Sequence, residues 1–192
     1  MNKVCAIFGG SRGIGKAVAQ LLAQKGYHLA IIARNLDAAK ATASQLGAGH
    51  LALSCDVAKE QDVQDTFEEI EKNLGHVNCL VNAAGINRDG LLLRTKTEDM
   101  ISQLNINLLG SMLTCKAGIK SMIQHQGGAI VNIGFIRTDM TSGLKEDQLK
   151  TMIPLGRFGE PHEVAQAVLF LLESPYITGH VLVLDGGVQL LI

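Results

Sequence analysis

Near the amino terminus one short stretch limits this chain to few architectures. Val4-Cys5-Ala6-Ile7-Phe8 is an unbroken apolar run that opens into Gly9-Gly10-Ser11-Arg12-Gly13-Ile14-Gly15. Beyond the glycines, Val18, Leu21 and Leu22 recur at helical spacing until Gly26. This reads as a strand buried on both faces, a tight turn and a helix, the opening unit of a parallel sheet. Gly9 permits the turn, Gly13 lets backbone approach a bound group, and Gly15 lets the helix lie close on the strand. The unpaired N–H groups at the helix start then favour an anion. In this strand–turn–helix setting, the loop with Ser11, Arg12 and Ile14 is a candidate cradle for a dinucleotide pyrophosphate. A purely structural turn is the alternative.

Strand-like and helix-like segments keep alternating after that unit. The expected strands are Val4–Phe8, Leu29–Ala33, His50–Ser54, Val77–Val81, Ala129–Ile133 and Val181–Leu184. Expected helices cover about 13–25, 37–46, 59–74, 98–124, 144–152 and 162–173. The fold class is α/β, a doubly wound parallel sheet of Rossmann type. With no linker, repeat or low-complexity tract, residues 1–192 form a single domain. After Ile133 the alternation stops: Phe135-Ile136-Arg137-Thr138 leads into two successive helices with no strand between.

The end of the second strand speaks to the cofactor. A site for NAD places Asp or Glu there to bond the ribose 2′-hydroxyl. Here the place holds Arg34-Asn35. A guanidinium pairs with a 2′-phosphate bidentately, where a carboxylate would repel it, so the residues favour NADPH, with Arg12 as a second clamp. The bland account of Arg34 is a solvated strand end.

Further along, the motifs accumulate in an order that resembles the short-chain dehydrogenase/reductase family. Gly9, Gly13 and Gly15 are followed by Asp56-Val57 after the third strand. Asn82-Ala83-Ala84-Gly85 follows the fourth, and Asn107-Leu108-Leu109-Gly110 lies on the fourth helix. Toward the end, Pro154-Leu155-Gly156-Arg157-Phe158-Gly159, Glu163-Val164-Ala165, Ile177-Thr178-Gly179 and Asp185-Gly186-Gly187 continue the likeness. Within the family the chain is most similar to the 3-oxoacyl-[acyl-carrier-protein] reductase branch and its carbonyl- and quinone-reducing members. The resemblance implies that Asp56 bonds the adenine, that Asn82 steadies the sheet behind the cofactor, and that Asn107 is a catalytic position. It implies that Ile136, Arg137 and above all Thr138 touch the nicotinamide amide. It implies a small carbonyl, quinone or acyl-thioester substrate, a role in fatty-acid synthesis, a homo- or hetero-oligomer with a related reductase subunit, and the mitochondrial matrix. No cleavable leader is visible at the start, so the cytoplasm is the fallback location.

One place departs from the family. The resemblance calls for a serine just after the fifth strand and a tyrosine with a lysine four residues on. The only tyrosines are Tyr27 and Tyr176, followed at that distance by Ile31 and His180, and Phe135 follows Gly134. A single internal gap between Gly134 and Phe135 accounts for every absence, leaving the sheet short of one strand and of the active-site helix. Three readings follow: an NADPH-dependent reductase with impaired chemistry, a non-catalytic NADPH-binding subunit that docks on an active relative, or a truncated form without function. The gap would also uncover Leu108, Met112, Leu113, Ile119 and Met122 on the fourth helix, leaving the nucleotide half, to about residue 95, better built than the rest.

Little else in the sequence offers chemistry. Net charge is −1 and the basic residues do not cluster, which argues against nucleic acid or an anionic membrane as partner. Six histidines show no metal-ligand spacing, so no metal site is expected. Cys5, Cys55, Cys79 and Cys115 lie far apart and read as free thiols. His162-Glu163 and Lys116/Lys120 read as solvated helix faces, and Tyr176 as a cap on the core before the last strand.

Overall fold

The computed structural model describes residues 3–88, 90–133 and 153–187. Five strands run in parallel in the order β3-β2-β1-β4-β5. They are β1 (Val4–Phe8), β2 (His28–Ala33), β3 (Leu51–Ser54), β4 (Cys79–Asn82) and β5 (Ala129–Asn132). Parallel neighbours need crossovers, and α1 (Gly13–Gln24), α2 (Leu36–Leu46) and α3 (Glu60–Leu74) supply the first three. A continuous helical stretch of α4 (Thr97–Gln103), a π-helical turn (Leu104–Leu109) and α5 (Gly110–Gln124) supplies the next. Helix α6 (Pro161–Glu173) begins on a capping box between Glu160 and Glu163 and packs on α1.

Two apolar layers hold the sheet. On one face, Val18, Ala19 and Leu22 of α1, Ala39 and Ala43 of α2, and Val164, Val168 and Leu172 of α6 pack over Cys5, Ile7, Leu29, Ile31 and Val81. On the other, Val63, Phe67 and Ile70 of α3 and Met122 of α5 pack over Ala6, Phe8, Ile32 and Leu80. Strand β1 is buried along its whole length, which is why its sequence shows no alternation. The chain builds β2 and β3 on one side of β1 and then crosses to β4 and β5. That reversal opens a crevice at the carboxyl ends of β1 and β4.

Five strand assignments from sequence hold to within two residues, and the expected long helix holds with the π turn inside it. The sixth does not: Val181–Leu184 lies outside the sheet, its side chains between 40% and 81% exposed. Tyr176 does not cap a core either, being fully exposed. Leu108, Met112 and Ile119 are exposed as expected, but Met122 is buried and Leu113 packs against the core, because they point inward at the sheet. The helix expected at 144–152 and the Gly134–Phe135 junction lie outside the described residues.

Candidate functional site

The crevice is a cavity of about 1100 Å3 at the carboxyl edge of the sheet. Every strand contributes to its wall at or just past its end: Phe8 and Gly9, Ala33 and Arg34, Cys55, Ala83 to Gly85, and Ile133. The glycine loop forms its floor. Gly9 sits at φ +83°, and a Cβ there would come within 2.5 Å of the Ala83 carbonyl carbon. A Cβ on Gly15 would strike the backbone of Gly9, so both glycines are required by close approach. The loop is tied down by Gly9 N–H donating to Ile32 O at 2.8 Å and by the buried Thr42 hydroxyl donating to Ser11 O at 3.1 Å.

Helix α1 begins at this floor. No side chain caps it and no acidic residue lies in its first turn. Its first N–H groups therefore face the cavity open to an anion. By contrast, α2 is closed by Asn35, whose Oδ1 accepts from Ala38 N–H at 3.1 Å. Among the described residues lining the cavity, Arg12 and Arg34 are the charged ones and none is acidic. Cys55 also lines the wall, but burial pushes its thiol above the usual range, which keeps it protonated.

The opposite end is built from the loop after β4 and the π turn. Asn107 holds the backbone of Ile86 at both ends of its amide: Oδ1 accepts from Ile86 N–H at 2.9 Å and Nδ2 donates to Ile86 O at 2.8 Å. One turn earlier, Gln103 Oε1 accepts from Arg88 N–H at 3.1 Å. One turn later, the Ser111 hydroxyl donates to Asn107 O at 2.9 Å. Gln103 and Asn107 thus hold the 86–88 loop against the cavity, and Ser111, four residues further along the same face, bonds back to Asn107.

Behind the cavity lies a buried polar cluster. Asn82 Nδ2 donates to Asn132 Oδ1 at 2.9 Å, and Asn82 Oδ1 accepts from the Thr114 hydroxyl at 2.8 Å. Asn82 thus pins β4 to β5 and to α5 without itself lining the cavity. Asp56 is also set back: its Oδ1 accepts from Ala58 N–H at 3.2 Å while its neighbours Cys55 and Val57 line the wall.

Of the residues singled out from sequence, the structure brings Gly9, Ser11, Arg12, Gly13, Ile14, Gly15, Arg34, Asn35, Val57, Ala83, Ala84, Gly85 and Asn107 to one cavity. Asn82 and Asp56 stand behind it, and Ile136, Arg137 and Thr138 lie outside the described residues. Sequence reasoning passed over Gln103, Ser111 and Thr42. The four-residue spacing of Gln103, Asn107 and Ser111 is the signal that would have found the first two. His162 and Lys120 lie away from the cavity, while Glu163 and Lys116 are engaged in ion pairs with Arg157 at 2.7 Å and Glu60 at 2.9 Å.

The short chain dehydrogenase family profile matches residues 3–145, and a profile described as enoyl-(acyl carrier protein) reductase matches residues 131–189. The chain belongs to the short-chain dehydrogenase/reductase family. Among the members of this family, the human 3-oxoacyl-[acyl-carrier-protein] reductase is 61% identical, with all of both chains covered. Carbonyl reductase family member 4 of Xenopus laevis is 57% identical over 99% of each chain. A solved short-chain dehydrogenase/reductase from Mycobacterium marinum superposes with a TM-score of 0.91 at 28% identity, over 97% of this chain and 95% of the other. The alignment to the human relative takes 237 positions to cover 192 residues, so some 45 positions of that short-chain dehydrogenase/reductase face no residue here. As a member of this family the chain is an oxidoreductase by descent, and the cofactor class of the family is a nicotinamide dinucleotide.

Proposed function

We propose that this chain is an NADPH-binding reductase of the 3-oxoacyl-[acyl-carrier-protein] reductase and carbonyl reductase type, impaired in its chemistry. The observation that carries the cofactor choice is the wall at the end of β2, where Arg34 stands with Arg12 and no described lining residue is acidic. A dinucleotide fits the cradle: the glycine floor has no room for a Cβ at Gly9, and the uncapped start of α1 offers N–H groups to phosphate. Arg34 and Arg12 would hold the 2′-phosphate, α1 the pyrophosphate, and Ala83 to Gly85 the face of the cofactor. When bound, NADPH supplies a hydride from its nicotinamide ring. The chain's own residues position the cofactor and exclude water from it.

Reduction of a carbonyl or quinone also needs a proton at the oxygen. Among the described residues lining the cavity there is no tyrosine, lysine, histidine or carboxylic acid. Tyr27 is buried elsewhere in the core, where desolvation pushes its hydroxyl up to about 12, and Tyr176 is in solvent. Asn107 spends both ends of its amide on Ile86, which makes it a positioning residue. General acid–base catalysis contributes roughly 10²- to 10⁴-fold, and none of the described lining residues supplies it. We place the missing positions of the human alignment between Gly134 and Phe135.

The retained glycine floor and open start of α1, beside a wall with no described proton donor, favour a second reading, a non-catalytic NADPH-binding subunit that assembles with an active relative, over a truncated form with no function. The resemblance to the carbonyl reductases supports the mitochondrial matrix as its location, which imaging of a tagged chain checks. The cofactor assignment is tested by titrating the chain with NADPH and NADH and following nicotinamide fluorescence. Tighter binding of NADPH is the expected result. Equal affinity for both cofactors would overturn it.

A further inference from the structure

Two parts of the described chain lack what a parallel sheet normally gives them. The first is the outer edge of β5. Ala129 and Ile133 donate their N–H groups to Asn78 and Asn82, so the odd-numbered residues of this strand face β4. Backbone groups alternate sides along a strand, which turns the N–H and C=O groups of Ile130 and Asn132 the other way. β5 is last in the strand order, and among the described residues no further strand meets those groups. The second is the segment Val181-Leu182-Val183-Leu184. It is wholly apolar, with strand-favouring valines at alternate positions, it lies outside the sheet, and all four side chains are at least 40% exposed.

An open ladder beside a loose apolar strand-former is a template for pairing between chains. We propose that the outer edge of β5 takes the Val181–Leu184 segment of a second copy of this chain, and that two copies exchange these segments reciprocally. Among the described residues each copy carries one open ladder and one unpaired segment, so a twofold exchange gives each a partner. The base of the segment is fixed, because Leu155 N–H donates to Gly186 O at 3.2 Å and Gly187 N–H donates to the Asp185 carboxylate at 2.8 Å. The segment is thus a short arm on an anchored turn. Its four apolar side chains would cover the rim of β5 in the partner while its backbone completes the ladder.

The exposed residues of the long helix, Leu108, Met112, Ile119 and Ile123, offer a rival route to a dimer, and the test separates the two. The mass of the full chain in solution is measured by light scattering, alongside Leu182→Pro, Val183→Pro and Met112→Lys. Because backbone groups alternate, one of the two proline variants must remove a donor on the ladder side. Neither position donates to a backbone partner in the described fold, so both variants should keep a cooperative melt. The expected result is a dimer for the parent chain and for Met112→Lys, and a monomer for at least one proline variant. Amide exchange at Ile130 and Asn132 should then be at least about tenfold slower in the dimer than in that variant. A monomeric parent, open-ended oligomers, or a dimer that survives both prolines and falls to Met112→Lys would each overturn the proposal.

Discussion

The two halves of the molecule are built to different standards. Among the described residues, the largest fully buried side chains, from Ile7 and Phe8 to Leu80 and Val81, all come before Asn82. The exposed large apolar ones among the described residues, except Leu36, come from Leu91 onward, including Leu93, Leu108, Met112 and Ile123. The first half closes its helices and strands on each other around β1. The second spreads a long helix and a C-terminal segment over surface that nothing in the described chain covers. The glycine floor and the arginine wall of the cavity belong to the first half, while Gln103, Ile106, Asn107, Ser111 and Ile133 close it from the second. A chain so divided can keep binding and lose turnover.

The largest effect that would expose this difference is in stability. Leu80→Ala removes a fully buried side chain between two layers and should cost about 2–5 kcal/mol in denaturant unfolding. Leu108→Ala, on the exposed helix face, should stay within about 0.5 kcal/mol. Similar costs at both positions would show that the second half is packed as tightly as the first.

Next comes the ligand. Arg34→Asp replaces a charge-assisted pair with repulsion and should weaken NADPH roughly 10- to 100-fold while leaving NADH no weaker. In the other half, Ser111→Ala loses a hydroxyl spent on Asn107 and should move NADPH affinity little. Both are read by the same fluorescence titration.

A smaller effect tests the seam between the halves. Thr114→Val keeps the shape of a fully buried side chain but removes the donor to Asn82 Oδ1. It should cost about 1–3 kcal/mol, the price of leaving a buried acceptor unpaired. No loss would mean that the cluster around Asn82 does not join α5 to the sheet.

The smallest expected effect depends on pH and belongs to the first half. His50 Nδ1 accepts from Leu29 N–H at 3.2 Å, and burial together with nearby His28 lowers its pKa below the ordinary 6.5. Its neutral form therefore stabilises the fold fully above about 6.5, and that contribution is lost as pH falls toward the lowered value. Melting temperature should drop between pH 7 and 5, and His50→Gln should flatten that part of the profile.

How much of this was legible in the sequence follows the same division. The strands β1, β2 and β4 were readable because strands buried on both faces leave unbroken apolar runs, and β3 and β5 because they are short apolar runs between polar or glycine punctuation. The glycine loop and Arg34 were readable because their roles depend on local geometry. Val181–Leu184 misled because its composition favours a strand, whereas a strand also needs a neighbour, and composition says nothing about that. Tyr176 misled likewise, since burial is a property of what lies opposite. Asn107 was found by motif, but its hold on Ile86 was not, because the π turn that aims it leaves no mark in residue spacing. Gln103 and Ser111 were missed as ordinary polar residues on a helix, although their four-residue spacing from Asn107 puts all three on one face.

The central claim is that the chain binds NADPH while its reduction chemistry is impaired. The most direct measurement is the rate of NADPH oxidation with an acetoacetyl thioester, by chain already shown by fluorescence to be saturated with the cofactor. A rate indistinguishable from the thioester and NADPH alone is the predicted result. Turnover of about 1 s⁻¹ or faster, within the ordinary range of enzymes, by the chain free of any relative would contradict it.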